Sequence, residues 1–300
     1  MPDLKQVTIH KSVLVNEVLK YLNIRSNKTY LDVTFGSGGH TRAILESDDT
    51  CKVIAMDWDA TALETYGIPL QEEFGDRVSL TWGNFSNLYK LLKKHDIDQL
   101  DGILADFGTS QIQIMNTPGI SFNQDTPLDM RLSPAHQQVS AAEVVNKATE
   151  EKLAQIFFQL GQEAKGRQIA RAILQARAKR KIITTGQLVA IIETVIPTRG
   201  KRSIHQATKV FQALRMYVNH ELDNIQAFLP AAIKALNSQG RLVCISFHSL
   251  EDRMVKQFFK NQHNAGLLEI ITPHAVMASD EEQAVNPSSR SARLRVAEKL

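Results

Sequence analysis

The 300-residue sequence predicts an α/β fold, a doubly wound and mostly parallel sheet broken by a helical insertion. Three observations predict it. Residues 30–40, Y-L-D-V-T-F-G-S-G-G-H, form an apolar β-rich run that stops in three glycines and leads into the amphipathic stretch 41–45. Apolar runs at 52–57, 78–82 and 100–106 then alternate with short helical patterns, the rhythm of a parallel sheet. After Asp106 the rhythm stops, and it resumes only near residue 206.

Each element has its own reason. Val13, Leu14, Val18 and Leu22 recur at helical spacing, which predicts a helix over 10–22. Leu31, Val33 and Phe35 favour a buried strand, whereas Gly36, Gly38 and Gly39 permit a tight turn and close approach of a ligand to the backbone. A strand, a glycine turn and a helix N-terminus present free N–H groups at a positive helix end, which suits a nucleotide-like ligand. The pattern G-S-G-G-H lacks the third glycine of the usual dinucleotide fingerprint, and a plain strand-to-helix turn is the rival reading. Asp57 ends the second strand about 20 residues past the glycines, where it can accept from both hydroxyls of a ribose. Residues 60–66 and 88–94 read as helices, and 100–106 as a strand ending in Asp106. Asp106 would face the same crevice as the glycines and Asp57, or would cap a turn. Phe85 either stacks on a purine or joins the core.

Residues 107–139 are rich in Gly and Pro, a long irregular stretch of the kind that is usually functional. Residues 140–146, 150–181 and 184–195 read as helices. The predicted domains are 1–110, a helical insertion at 111–205, and a second α/β part at 206–300. That second part holds a helix over 206–237 with a kink at Pro230, a strand at 241–247, and a helix over 249–260 with Ser249 as N-cap and Asp252 near the capping-box position. Residues 267–272 are the last expected strand, and the polar, basic tail from Asn286 is expected to order on a partner.

Composition excludes several classes. Hydrophobic residues make up 43% and charged residues 22%, the balance of an ordinary globular protein. No apolar run approaches the roughly 20 residues of a membrane span, and no secretory leader is evident, so a cytoplasmic location without membrane contact is expected. Cys51 and Cys244 lie far apart inside apolar runs, which points to small buried hydrophobes and to no metal site. The net charge is +3, yet residues 161–220 carry twelve Lys and Arg against Glu163 and Glu193. That is a local excess of +10, leaving the remainder at −7. Such asymmetry points to a polyanionic partner, with a solvated helix face as the rival reading. Arg167, Arg171, Arg177, Lys179, Arg180, Lys181, Arg199, Lys201 and Arg202 are the candidate contacts to such a polyanion.

Several motifs together carry a resemblance. H-K-S-V-L at His10, D-V-T-F-G-S-G-G-H at Asp32, D-F-G-T-S-Q-I-Q at Asp106, P-L-D-M-R at Pro127, F-Q-A-L-R-M-Y-V-N-H-E-L at Phe211, S-F-H-S-L-E-D-R at Ser246 and R-S-A-R-L-R at Arg290 resemble the bacterial small-subunit ribosomal RNA cytosine-N4 methyltransferases. The likeness runs from about residue 10 to residue 299 in the family's order. It implies a Rossmann-like class I S-adenosylmethionine-dependent methyltransferase with a helical insertion. By resemblance Gly38, Gly39 and His40 border the methionine end of the cofactor, Asp57 the ribose, Phe85 the adenine, and Asp106 and Gln113 the region of the sulfonium. Asp106 is the candidate catalytic residue, as hydrogen-bond acceptor from the target amine or as cofactor ligand. Asp129, Arg131, Ser246 and His248 are candidates for the base pocket, against an internal ion pair for the first two and a structural role for His248. Departures are few: Phe107 for Leu, Thr109 for Val, Gln111 and Ile112 for Ser-Pro, and Lys209 for Arg.

The implied reaction is methylation of a cytidine N4 amine in the decoding region of 16S ribosomal RNA. The expected partner is the assembled 30S subunit; a homodimer is compatible with the sequence. An NAD-dependent oxidoreductase shares the glycine-plus-acid logic, and a non-catalytic RNA-binding assembly factor would share the fold. The missing third glycine and the intact set of crevice residues weigh against them.

Overall fold

The computed structural model describes residues 11–95, 97, 99–197 and 205–300. Internal contacts divide the chain into two units, Met1–Gly108 with Leu222–Leu300, and Thr109–Glu221. The predicted helix over 10–22 is observed at Val15–Leu22; its first predicted residue, His10, lies outside the described residues.

The first unit is built on seven strands: β1 (Thr29–Asp32), β2 (Lys52–Asp57), β3 (Val78–Trp82), β4 (Leu100–Asp106), β5 (Leu236–Ser246), β6 (Leu268–Ile270) and β7 (Arg293–Lys299). Their order is β3-β2-β1-β4-β5-β7-β6. β1 to β5 pair in parallel, whereas β7 runs antiparallel to both β5 and β6. Strand order reverses between β1 and β4, the switch point at which ligands of such sheets bind. The continuous apolar runs follow from burial of both sheet faces. Leu31, Ile54, Ile103 and Ala105 enter one core, and Tyr30, Val53, Ala55 and Leu104 enter the other. Cys51 and Cys244 are free and buried, as their apolar settings imply. Among the described residues no helix is long and apolar enough to cross a membrane.

The basic tail is not the partner-ordered segment expected from composition. Residues 293–299 form β7, inserted between β5 and β6. Alternation is what composition concealed: Leu294 and Val296 enter one core and Ala297 the other, while Arg295 is buried against Asp252 by bonds of 2.6 and 3.2 Å. The helix after β5, Ser249–Asn264, starts where expected, but its cap lies one residue earlier. His248, not Ser249, is its N-cap, and Glu251, not Asp252, closes the capping box.

The second unit is helical, with a single core drawn from helices Ala141–Lys147, Glu150–Gln159, Gly166–Lys179, Thr185–Val195 and Thr208–Val218. Two expected long helices are each a pair. The stretch 150–181 breaks at Gly161, where a Cβ would sit 2.5 Å from the Lys209 carbonyl oxygen, and at Gln162, whose φ is +50°. The stretch 206–237 breaks at Asn219 and His220, the latter with φ +51°. Its first half, Thr208–Val218, packs Val210, Phe211 and Leu214 into the helical core, so this unit extends to Glu221 rather than to residue 205.

Removing one partner of a buried ion pair leaves the other charge desolvated, at a cost of about 3–5 kcal/mol. Arg295→Met should therefore lower the unfolding free energy by about that amount in urea titration, and the double variant Arg295→Met with Asp252→Leu should recover most of it.

Candidate active site at the sheet switch point

The chain beyond β1 is threaded between its two neighbours. Val33 N–H donates to the Leu104 carbonyl of β4 at 3.0 Å, and Phe35 N–H donates to the Met56 carbonyl of β2 at 2.9 Å. At Gly36, with φ +56°, the backbone leaves the sheet and its N–H donates to Asp57 Oδ2 at 2.8 Å. Gly38, with φ +80°, caps the helix Gly39–Ser47; a Cβ there would lie 2.7 Å from the Phe35 ring, and one on Gly39 would overlap the Ser12 hydroxyl. Gly38 and Gly39 thus have no room for side chains.

Asp57 is buried at the end of β2. Its two oxygens accept from the Gly36 and Asp59 N–H groups at 2.8 and 2.9 Å, which leaves further lone pairs for a ligand. Burial lifts its pKa to about 6 against those hydrogen bonds and with help from the nearby Asp59 and Asp32 charges. Phe85 is half-buried in an aromatic trio, its ring centre 5.9 Å from Phe107 and 5.4 Å from Phe228.

Asp106 ends β4, and its N–H donates to Thr34 Oγ1 at 2.7 Å. Its Oδ1 is buried without a hydrogen-bond partner, and Oδ2 lies 3.8 Å from Nδ1 of His40. Desolvation raises its pKa to about 7; His40 opposes this, and Asp32 and Glu251 add to it. The side chain keeps 20% exposure, so the carboxyl opens on one side only. His40 is 4% exposed and is held by a 2.8 Å contact from Nε2 to the Val13 carbonyl.

Sequence reasoning missed Asp32 as a site residue. It is fully buried, accepts from Thr41 Oγ1 at 2.8 Å and from Thr34 N–H at 3.1 Å, and has its pKa raised by burial. An acid inside an apolar strand was the available signal, since such a group is seldom buried without a task.

The remaining candidates have definite local roles. Ser246 is buried at the end of β5, in register with Arg293. His248 uses Nδ1 to accept from Glu251 N–H, while its buried Nε2 lies 3.1 Å from Glu251 Oε1. In the helical unit Gln113 is mostly buried and reciprocally caps the helix Gln111–Asn116 with Ser110. Asp129 and Arg131 form a bidentate pair at 2.6 and 2.8 Å, which holds the Asp129 carboxyl below its usual pKa. Arg167, Lys179, Arg180 and Lys181 are exposed, and Arg171, also exposed, lies 3.4 Å from Glu150. Arg177 differs: its Nη1 donates to the carbonyls of Val145 and Ala148 at 2.8 and 2.7 Å, closing the end of a neighbouring helix. Arg199, Lys201 and Arg202 lie outside the described residues.

The raised Asp106 pKa has a stability consequence. The folded state holds a proton that the unfolded chain releases near pH 4, so stability falls as pH rises from about 4 to about 7 and then levels. Asp106→Asn should melt above the wild type by roughly 1–3 kcal/mol at pH 8. The gap should close as pH is lowered to 4, with thermal unfolding of the ligand-free protein as the measurement.

The sequence pattern of the MraW methylase family matches residues 7–300. The protein named ribosomal RNA small subunit methyltransferase H in Endomicrobium trichonymphae is 44% identical over 291 residues, covering 97% of this chain and 98% of the relative. Its namesake in Thermotoga neapolitana is 43% identical over 299 residues, covering 98% and 97%. Among solved structures, an rRNA methylase from Streptococcus thermophilus covers 93% of this chain and 91% of its own at 10% identity, with a TM-score of 0.43 that adds nothing to the assignment. The glycine turn and the three buried acids therefore sit in a chain that belongs to the MraW methylase family, a family of S-adenosylmethionine-dependent methyltransferases.

Proposed function

We propose that this protein methylates the exocyclic N4 amine of a cytidine in the decoding region of 16S ribosomal RNA, and that its substrate is the assembled small subunit. The observation that carries the reading is the Asp106 carboxyl, with one buried oxygen lacking any partner, at the switch point beside the glycine turn. Such a group fits a cationic ligand and a hydrogen-bond donor, and glycine at 36, 38 and 39 lets a ligand approach the backbone closely.

S-adenosylmethionine, when bound, supplies a methyl carbon on a cationic sulfonium. The N-terminus of the helix Gly39–Ser47 offers N–H groups to a carboxylate, Asp57 offers its remaining lone pairs to ribose hydroxyls, and Phe85 offers a ring face to adenine. Asp106 accepts a hydrogen bond from the target amine and takes the proton that methylation forces off nitrogen. The amine is a weak nucleophile because its lone pair is delocalised into the ring, so alignment supplies much of the rate. On this reading Ser246 and His248 contribute to the base pocket. A base leaving its stack costs a few kcal/mol, which phosphate contacts of the basic helical unit offset.

Labelled S-adenosylmethionine incubated with small subunits lacking native methylation should place label in N4-methylcytidine, with little transfer to naked RNA. Asp106→Ala should reduce the rate by at least about 100-fold. Label in another nucleoside, or none despite cofactor binding, would contradict the assignment. Replacing Lys179, Arg180 and Lys181 by Ala should reduce the log–log salt slope of single-stranded RNA binding by about 0.7 per lost contact, or roughly 2 in all. Arg177→Ala should instead lower the melting temperature, because its donors close a helix end.

A further inference from the structure

His40 follows the three glycines of the turn, and its surroundings define its tautomer. Its Nε2 lies 2.8 Å from the Val13 carbonyl, an acceptor only, so Nε2 carries a hydrogen. In the neutral ring Nδ1 is then a bare lone pair, and it faces Asp106 Oδ2 at 3.8 Å. Two acceptors confronting each other in a buried place repel unless a proton lies between them. Closing from 3.8 Å to hydrogen-bond length takes about 1 Å of movement, and no bond at Asp106 Oδ1 resists rotation of the carboxyl.

The ring itself is fixed. Val13 precedes Leu14, whose φ is +54° and whose N–H donates to Glu282 Oε1 at 2.8 Å, while Asn286 Nδ2 donates to the Lys11 carbonyl at 2.9 Å. The segment that orients His40 is therefore tied down by two side chains from near the C-terminus. Asp32 is the other acid near the ring, with both oxygens accepting from Thr34 and Thr41. Glu251 is the further acid whose charge bears on Asp106.

We propose that His40 is a positioning residue for Asp106, holding through Nδ1 the proton that Asp106 takes from the target amine. The inference rests on the reading of Asp106 given above. The amine nitrogen gains the methyl, the electron pair of the broken carbon–sulfur bond stays on sulfur, and nitrogen loses one proton to Asp106 Oδ2. That proton passes to His40 Nδ1, so the products are an imidazolium and a restored carboxylate paired with it. Asp32 stabilises this imidazolium, and solvent then removes the proton.

The first test needs no substrate. In ¹⁵N-histidine NMR of the ligand-free protein, the neutral His40 ring should carry its hydrogen on Nε2, with a bare Nδ1. In Asp106→Asn the Nδ1 resonance should move, because the facing carboxylate is lost. A neutral ring with its hydrogen on Nδ1, or an Nδ1 resonance unchanged in Asp106→Asn, would overturn the proposal. The second test uses His40→Gln, which can still donate to Val13 but holds no titratable nitrogen. It should lose about 10-fold or more in kcat, beyond any change in cofactor Kd, and shift the pH–rate profile. Unchanged kcat and profile, or a loss confined to cofactor affinity and melting temperature, would make His40 a wall residue only. Wild-type protein that transfers no methyl while showing the Asp106-dependent Nδ1 resonance would instead count against the substrate assignment.

Discussion

The site depends on the threading of residues 33–36 between two strands. Val33 hydrogen-bonds to β4 and Phe35 to β2, so the chain leaving β1 closes the gap at the switch point one residue at a time. Two further bonds lock the acids to the same splice: Gly36 N–H to the Asp57 carboxylate, and Asp106 N–H to the Thr34 hydroxyl. The ends of β1, β2 and β4 are thereby held in one frame. Bulk at Gly38 or Gly39 would meet Phe35 or Ser12, so that frame requires glycine at both.

The same frame concentrates buried negative charge. Asp32, Asp57 and Asp106 all have raised pKa values, with desolvation as the largest cause in each. The first two are compensated by hydrogen bonds from backbone and hydroxyl donors. Asp106 has an oxygen with none. A group left in that condition reduces the stability of the ligand-free protein, and a cationic ligand or an amine donor relieves it. Function and instability therefore share one carboxyl group, which is the usual place for a local violation of packing rules.

Much of this was legible in the sequence because the relevant signals are local. The glycines, the apolar runs of β1, β2, β4 and β5, and the acids at strand ends follow from composition and period. The interruption after Asp106 was visible as Gly and Pro content. The failures have a common cause in long-range pairing. β7 looked like a basic tail because Arg293 and Arg295 dominate its composition, whereas the partner that tolerates Arg295 in the interior, Asp252, lies 43 residues away. Arg177 looked like a phosphate contact for the same reason, yet its donors find carbonyls about 30 residues earlier. Helix breaks at Gln162 and His220 escaped notice because a left-handed residue other than Gly carries no compositional mark. Asp32 was hidden inside an apolar strand, its donors Thr34 and Thr41 being identifiable only once the turn is folded.

The central claim is that Asp106 is a desolvated, unpartnered carboxyl at the switch point. It is tested most directly by ¹³C NMR titration of side-chain carboxyls in the ligand-free protein, with Asp106 assigned by the resonance missing from Asp106→Asn. A midpoint near 7 is the result this account predicts. A midpoint near 4, the ordinary carboxyl range, would mean that Asp106 is solvated or hydrogen-bonded, and would contradict it.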